Sequence, residues 1–151
     1  MHLDTDRFYD FVAQLVSPIL RESRAQNETV MAAAARAAAA FADGGYEVFV
    51  DGVIGPWLLP IWIHALGQSD VPVDYIVLRA PLEETLARAN ARRKRIPVEF
   101  VQHMHAQFAT LGAFERHVVA TDGRSPDETL AEIARRRASG ELRLDSTADG
   151  S

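Results

Sequence analysis

Residues 47–52 read Glu47-Val48-Phe49-Val50-Asp51-Gly52, an apolar run of strand length closed by an acidic residue and a glycine. A second run of the same character stands at 73–79 (V-D-Y-I-V-L-R), and a third at 117–121 leads into Asp122-Gly123. Helical stretches separate them. Upstream, residues 26–43 hold two four-alanine runs around Arg36 and stop at Gly44-Gly45, a helix end. Downstream, Pro81 opens a helix over 82–91, and Pro97 opens another to about residue 111. Ser125-Pro126-Asp127-Glu128 has the capping-box spacing that opens a final helix. Further upstream, residues 2–4 are extended, and Phe8, Phe11, Val12 and Leu15 give 6–16 a helical period.

Strands alternating with helices predict an α/β domain with a mainly parallel sheet covered on both faces. The expectation is one domain over residues 1–140, with a disordered polar tail over 141–151. Its length of 151 residues supports one sizeable core, and 48% hydrophobic with 25% charged residues fits a globular chain. A net charge of -5 argues against nucleic-acid and anionic-membrane partners. The absence of cysteine excludes disulfides, thiolate metal sites and a cysteine nucleophile. No stretch is long and apolar enough to span a membrane, and the start lacks the pattern of a signal peptide, so the expected compartment is the cytoplasm.

Ligands of parallel sheets gather at the carboxyl ends of the strands, which directs attention to Asp4-Thr5-Asp6, Asp51-Gly52, Arg79 and Thr121-Asp122. Asp4 and Asp6 can divide roles, one near a cation and one facing a substrate hydroxyl as base. Equally, Asp6 reads as a helix cap and Asp4 as a surface charge. Arg88, Arg92, Arg93, Lys94 and Arg95 form a cationic cluster that suits phosphate oxygens, or a solvated helix end. Trp57 can wall a small-molecule pocket or simply join the core, as can Trp62. Arg21 and Arg24 suit an anionic acceptor or the surface. His103 and His105 project about 200° apart on a helix and cannot share one metal ion.

The segments H-L-D-T-D-R-F-Y, V-F-V-D-G-V-I-G-P-W and H-M-H-A-Q-F-A-T-L, in that order and spacing, resemble the small P-loop phosphotransferases. Gluconate kinase, shikimate kinase, adenylylsulfate kinase, chloramphenicol phosphotransferase and AAA-family ATPases are of this kind. The resemblance covers about residues 2–138 and implies a three-layer α/β fold that transfers the γ-phosphate of Mg-ATP to a small hydroxyl-bearing substrate. It implies Asp6 as base or acceptor ligand, with Asp4 and Asp51 on the magnesium side. It also places Gly52 beside substrate, and Arg88 and Arg92 in a lid over the nucleotide.

One part is absent. Such a kinase needs G-x-x-x-x-G-K-[ST], whose amides and lysine cradle the phosphates. The single lysine here is Lys94, in R-R-K-R with no glycine near it. In the family that loop follows the first strand, central in the order 2-3-1-4-5, and precedes the segment at which this chain begins. The expectation is therefore a kinase-like domain missing its central first strand, from a start assigned too late or a truncated gene. As it stands the chain is expected to be inactive. The alternative is a non-catalytic α/β binding or assembly module.

Overall fold

In the computed structural model, residues 1–67, 71–91 and 96–144 are described. Contacts gather the chain into two compact units, Met1–Val71 and Pro72–Asp145, where the sequence reads as one domain.

In the first unit, β1 (His2–Asp4) and β2 (Phe49–Asp51) pair in parallel, with His2 opposite Phe49, Leu3 opposite Val50 and Asp4 opposite Asp51. The two-residue period sorts the faces. Leu3 and Val50 pack on the core, while His2, Phe49 and Asp51 are exposed. The expectation of a strand at 47–52 buried on both faces is thus corrected, since among the described residues helices cover only the Leu3–Val50 face of this pair. The covering helices are α1 (Arg24–Asp43) and α2 (Leu59–Leu66). Ala34, Ala35 and Ala38 of α1 are buried together with Val30, Met31 and Trp62. Methyl-sized side chains let the Trp62 ring approach the α1 backbone, and that makes the alanine run a packing surface.

The helix expected over 6–16 is a 3₁₀ turn, Thr5–Phe11. Asp4 caps it, with Oδ1 accepting the Asp6 amide at 2.9 Å, so the capping role expected of Asp6 falls to its neighbour. Beyond the turn the backbone finds side-chain partners in place of helical ones. Gln26 clamps Val16 by donating to its carbonyl at 2.8 Å and accepting its amide at 2.9 Å.

In the second unit, β3 (Val77–Arg79) and β4 (Val118–Ala120) pair in parallel, Val77 with Val118 and Arg79 with Ala120. The helices are α3 (Leu82–Ala91), α4 (Val98–Gln107) and α5 (Pro126–Ala138). The capping box of α5 is present in full, Ser125 Oγ accepting the Glu128 amide and the Glu128 carboxylate accepting that of Ser125. α4 stops at Gln107, short of the expected 111, because Leu111 is instead buried at the start of a 3₁₀ turn over Gly112–His117.

Residues 141–144 are ordered into this unit, in contrast to the tail expected from Glu141. Leu142 is fully buried, its carbonyl accepts the Tyr75 amide at 2.9 Å, and the Leu144 amide reaches Val73 O at 2.9 Å. One apolar residue among polar neighbours anchors the segment. Asp74 closes it, accepting Arg143 Nε at 2.9 Å and Arg137 Nε at 3.0 Å. Burial pushes the Asp74 carboxyl up, and those two guanidinium bonds more than offset it, holding the group below its ordinary value. His117 is fully buried, its Nδ1 donating to Tyr75 O at 3.1 Å amid the rings of Tyr75 and Phe114. Burial lowers its basicity and the Arg116 and Arg136 charges add to that, against an opposing contribution from the Tyr75 carbonyl. Burial also pushes the Tyr75 phenol up to about 12.

The chain is α/β, with short parallel strands in two small sheets. Among the described residues, no helix is long and apolar enough to cross a membrane.

Candidate functional site

The carboxyl ends of β1 and β2 bring together Asp4, Thr5, Asp51 and Gly52. Asp4 and Asp51 are register partners. Adjacent strands lie roughly 4.8 Å apart, and register partners in a parallel pair face the same side, so the two acidic residues stand abreast. Each carboxylate already has company. Asp4 Oδ1 accepts the Asp6 amide and its Oδ2 lies 3.8 Å from Arg7 Nε. Asp51 Oδ1 lies 2.5 Å from His2 Nε2, both side chains being about two-thirds exposed. Solvent access makes that contact easy to exchange for another partner.

Asp6 is exposed on the first turn beyond β1. Its carboxylate makes no hydrogen bond or ion pair among the described residues. Its negative charge is felt next door, adding to burial in raising the Tyr9 phenol.

Thr5 and Gly52 fix the strand ends against each other. Thr5 is fully buried, and its Oγ1 has no hydrogen-bond partner among the described residues. A Cβ on residue 52 would stand 1.8 Å from that Oγ1, and Gly52 has φ +156. Glycine at 52 is thus a packing requirement set by Thr5. Trp57 sits in the 3₁₀ turn Pro56–Leu58, about half exposed, with its indole over Gly55, where a Cβ would meet ring carbons at 2.3–2.5 Å. Trp62, by contrast, is core.

Arg88 lies in the second unit on α3, where it pairs with Glu84 one turn earlier. Arg92 lies outside the described residues, as do Arg93, Lys94 and Arg95. His105 is engaged with the Ala80 carbonyl at 3.1 Å. Arg79, at the end of β3, is held in a two-pronged pair with Glu115, at 2.5 and 2.9 Å. That pair lowers the Glu115 carboxyl, and the Leu111 amide lowers it further.

Two members of the first-unit cluster escape a reading by residue type. His2 stands two residues before Asp4, and the alternation of an extended segment puts both on one face, a signal present in the sequence. Thr5 gives no such signal, because only the three-dimensional approach of Gly52 explains its burial.

Two carboxylates abreast suit an oxygen-preferring divalent cation such as Mg²⁺. Among the described residues, no three His, Asp or Glu side chains are grouped as a metal site. For the triphosphate the donors do not fit, since the sequence has no glycine-rich loop with a lysine. No family model and no curated protein matches this chain.

Proposed function

We propose that this chain is the acceptor-side part of an ATP-dependent phosphotransferase acting on a small hydroxyl-bearing molecule, within a P-loop NTPase-like fold. The observation that carries this reading is the placement of Asp4 and Asp51 abreast at the carboxyl ends of two parallel strands, with the unpaired Asp6 on the next turn. The strand pairings support it as well. β1 beside β2 and β3 beside β4 are the neighbours that the order 2-3-1-4-5 gives its second and third, and its fourth and fifth, strands. In this reading Asp6 accepts the proton of the acceptor hydroxyl, Asp4 and Asp51 hold the cation side, and Gly52 and Trp57 border the acceptor. Arg88 and Arg92 contribute to a lid.

The phosphate-gripping loop must come from residues outside this sequence, so no phosphoryl-transfer step is assigned to the chain alone. Reading the coding DNA upstream of Met1 tests the proposal. An in-frame G-x-x-x-x-G-K-[ST] supports it, whereas a stop codon or unrelated sequence overturns it in favour of a non-catalytic binding or assembly module. In a protein carrying that loop, Asp6→Asn keeps the backbone geometry and removes only the base. Turnover should fall by roughly 10²–10⁴-fold with ATP affinity nearly unchanged. Near-normal turnover would remove Asp6 from the chemistry.

A further inference from the structure

Helices α1 and α2 border an open cleft of about 300 Å³, lined by Ala32 and Arg36 of α1 and by Pro60, Ile61, His64 and Ala65 of α2. The spacing produces it. Ala32 and Arg36 stand one turn apart on α1, as do Pro60 and His64, and Ile61 and Ala65, on α2, so each helix contributes one continuous strip of wall. At Ala32 and Ala65 the side chains stop at Cβ, which leaves space that longer ones would fill. Ala32, Ile61 and Ala65 are half-buried, while Arg36, Pro60 and His64 are exposed. The cleft is therefore apolar inside, with two polar heads at its margin.

Arg36 is the only charged residue among those lining the cleft. Neither it nor His64 has a hydrogen bond or ion pair among the described residues. Other helical arginines find a carboxylate within a turn, Arg24 with Glu28, Arg88 with Glu84 and Arg135 with Glu132. Around Arg36 those positions hold Ala32, Ala33, Ala39 and Ala40. The nearest acidic residues along α1 are Glu28 and Asp43, each about two turns away, and Glu28 is already engaged by Arg24 at 2.9 Å. α2 contains no acidic residue.

A guanidinium beside apolar walls selects an anion with an apolar body. Its planar fork matches one carboxylate through paired N–H donors, whereas a phosphate monoester would bring nearly two charges against one. Proline, isoleucine and alanine walls give a sugar or nucleobase nothing to bond. At roughly 30 Å³ for each small group, the cleft takes about ten non-hydrogen atoms.

We propose that this cleft binds a medium-chain aliphatic monocarboxylate, its chain on Ile61, Ala32 and Ala65 and its carboxylate on Arg36, with His64 as a second donor. None of these residues belongs to the strand-end cluster, so the inference stands or falls apart from the phosphotransferase reading. Calorimetry on the full chain with octanoate tests it, with octanamide as the neutral analogue and acetate as the short one. Wild-type protein should bind one octanoate with a Kd of roughly 0.1–1 mM, the range for about ten atoms in an open site. Acetate and octanamide should each bind about tenfold more weakly or worse. Arg36 is exposed, so Arg36→Gln leaves the fold intact; it should weaken octanoate about tenfold and leave octanamide unchanged. Ala65→Leu fills the cleft and should abolish octanoate binding, with circular dichroism confirming that the variant is folded. No saturable heat from wild-type protein by about 10 mM octanoate overturns the proposal. Octanoate binding that is indifferent to Arg36→Gln, or retained in folded Ala65→Leu, overturns it in favour of adsorption elsewhere on the surface.

Discussion

Thr5 and Gly52 compete for one volume: the buried Thr5 Oγ1 lies 1.8 Å from where any Cβ of residue 52 would stand. Gly52→Ala must therefore displace Thr5 or the strand end, which costs about 1–3 kcal/mol as overpacking. Thr5→Ala removes the obstructing oxygen and relieves a buried hydroxyl without a partner. The double variant should recover about 1 kcal/mol or more of the loss from Gly52→Ala. Denaturant midpoints of the four proteins give the coupling. Simple additivity would show that the two residues do not constrain each other.

Asp4 is the capping residue of the turn Thr5–Phe11. Asp4→Ala should cost about 1 kcal/mol, and Asp4→Asn only a few tenths, because asparagine caps as well as aspartate. Asp6→Asn should leave thermal stability unchanged. A stability loss at Asp6 equal to that at Asp4 would contradict the assigned cap.

Asp74 makes the second unit acid-sensitive. Its carboxyl sits below the ordinary value of 3.8, so its contribution is complete above that pH and is lost as pH falls through the lower folded value. Asp74→Asn should cost about 1–2 kcal/mol at neutral pH after allowing for solvent screening, and nothing in strong acid. Amide exchange at Tyr75 and Leu144, whose N–H groups bond Leu142 O and Val73 O, should quicken in the variant at neutral pH and match wild type at low pH. A cost that persists at low pH would separate the effect from Asp74 ionisation.

His117 gives a second pH dependence, in another window. Its folded value lies below the ordinary 6.5, so the unfolded chain binds the proton more readily. Stability is whole above that ordinary value and declines as pH falls from it through the folded value. His117→Gln should lower stability at neutral pH and flatten the slope as pH falls below the ordinary value of 6.5. An unchanged slope in the variant would assign it to other groups.

Nucleotide binding by this chain should be negligible. A phosphate cradle supplies several charge-assisted hydrogen bonds of about 1.5–3 kcal/mol each, so lacking it costs a thousandfold or more in affinity. Calorimetry with Mg-ATP at micromolar concentration should show no saturable heat. Saturable binding would mean that another element of the chain grips the triphosphate.

The elements legible in the sequence were those whose signals are local. The alanine helix, its glycine stop, the Ser125–Glu128 cap and the parallel runs ending at Asp51 and Arg79 follow from propensity, capping and period. The 3₁₀ turn after Asp4 was not legible, because Phe11 and Leu15 keep a helical spacing while the Val16 backbone is taken by Gln26, ten residues away. The one-sided burial of β2 and the docking of Leu142 were hidden for the same reason, being settled by what packs on a segment. At the candidate site the strand-end aspartates were readable from topology, whereas the Thr5–Gly52 fit and the His2–Asp51 contact depend on side-chain approach.

Trp57 over Gly55 and Trp62 in the alanine core are the chain's two tryptophans, and both belong to Met1–Val71. Tryptophan emission is consequently an optical label of that unit alone, with one half-exposed and one buried fluorophore, while Tyr75 reports from Pro72–Asp145. If the units melt separately, tryptophan emission and far-ultraviolet circular dichroism will give different midpoints on the same sample. Unfolding data read through tryptophan would then describe half of the molecule.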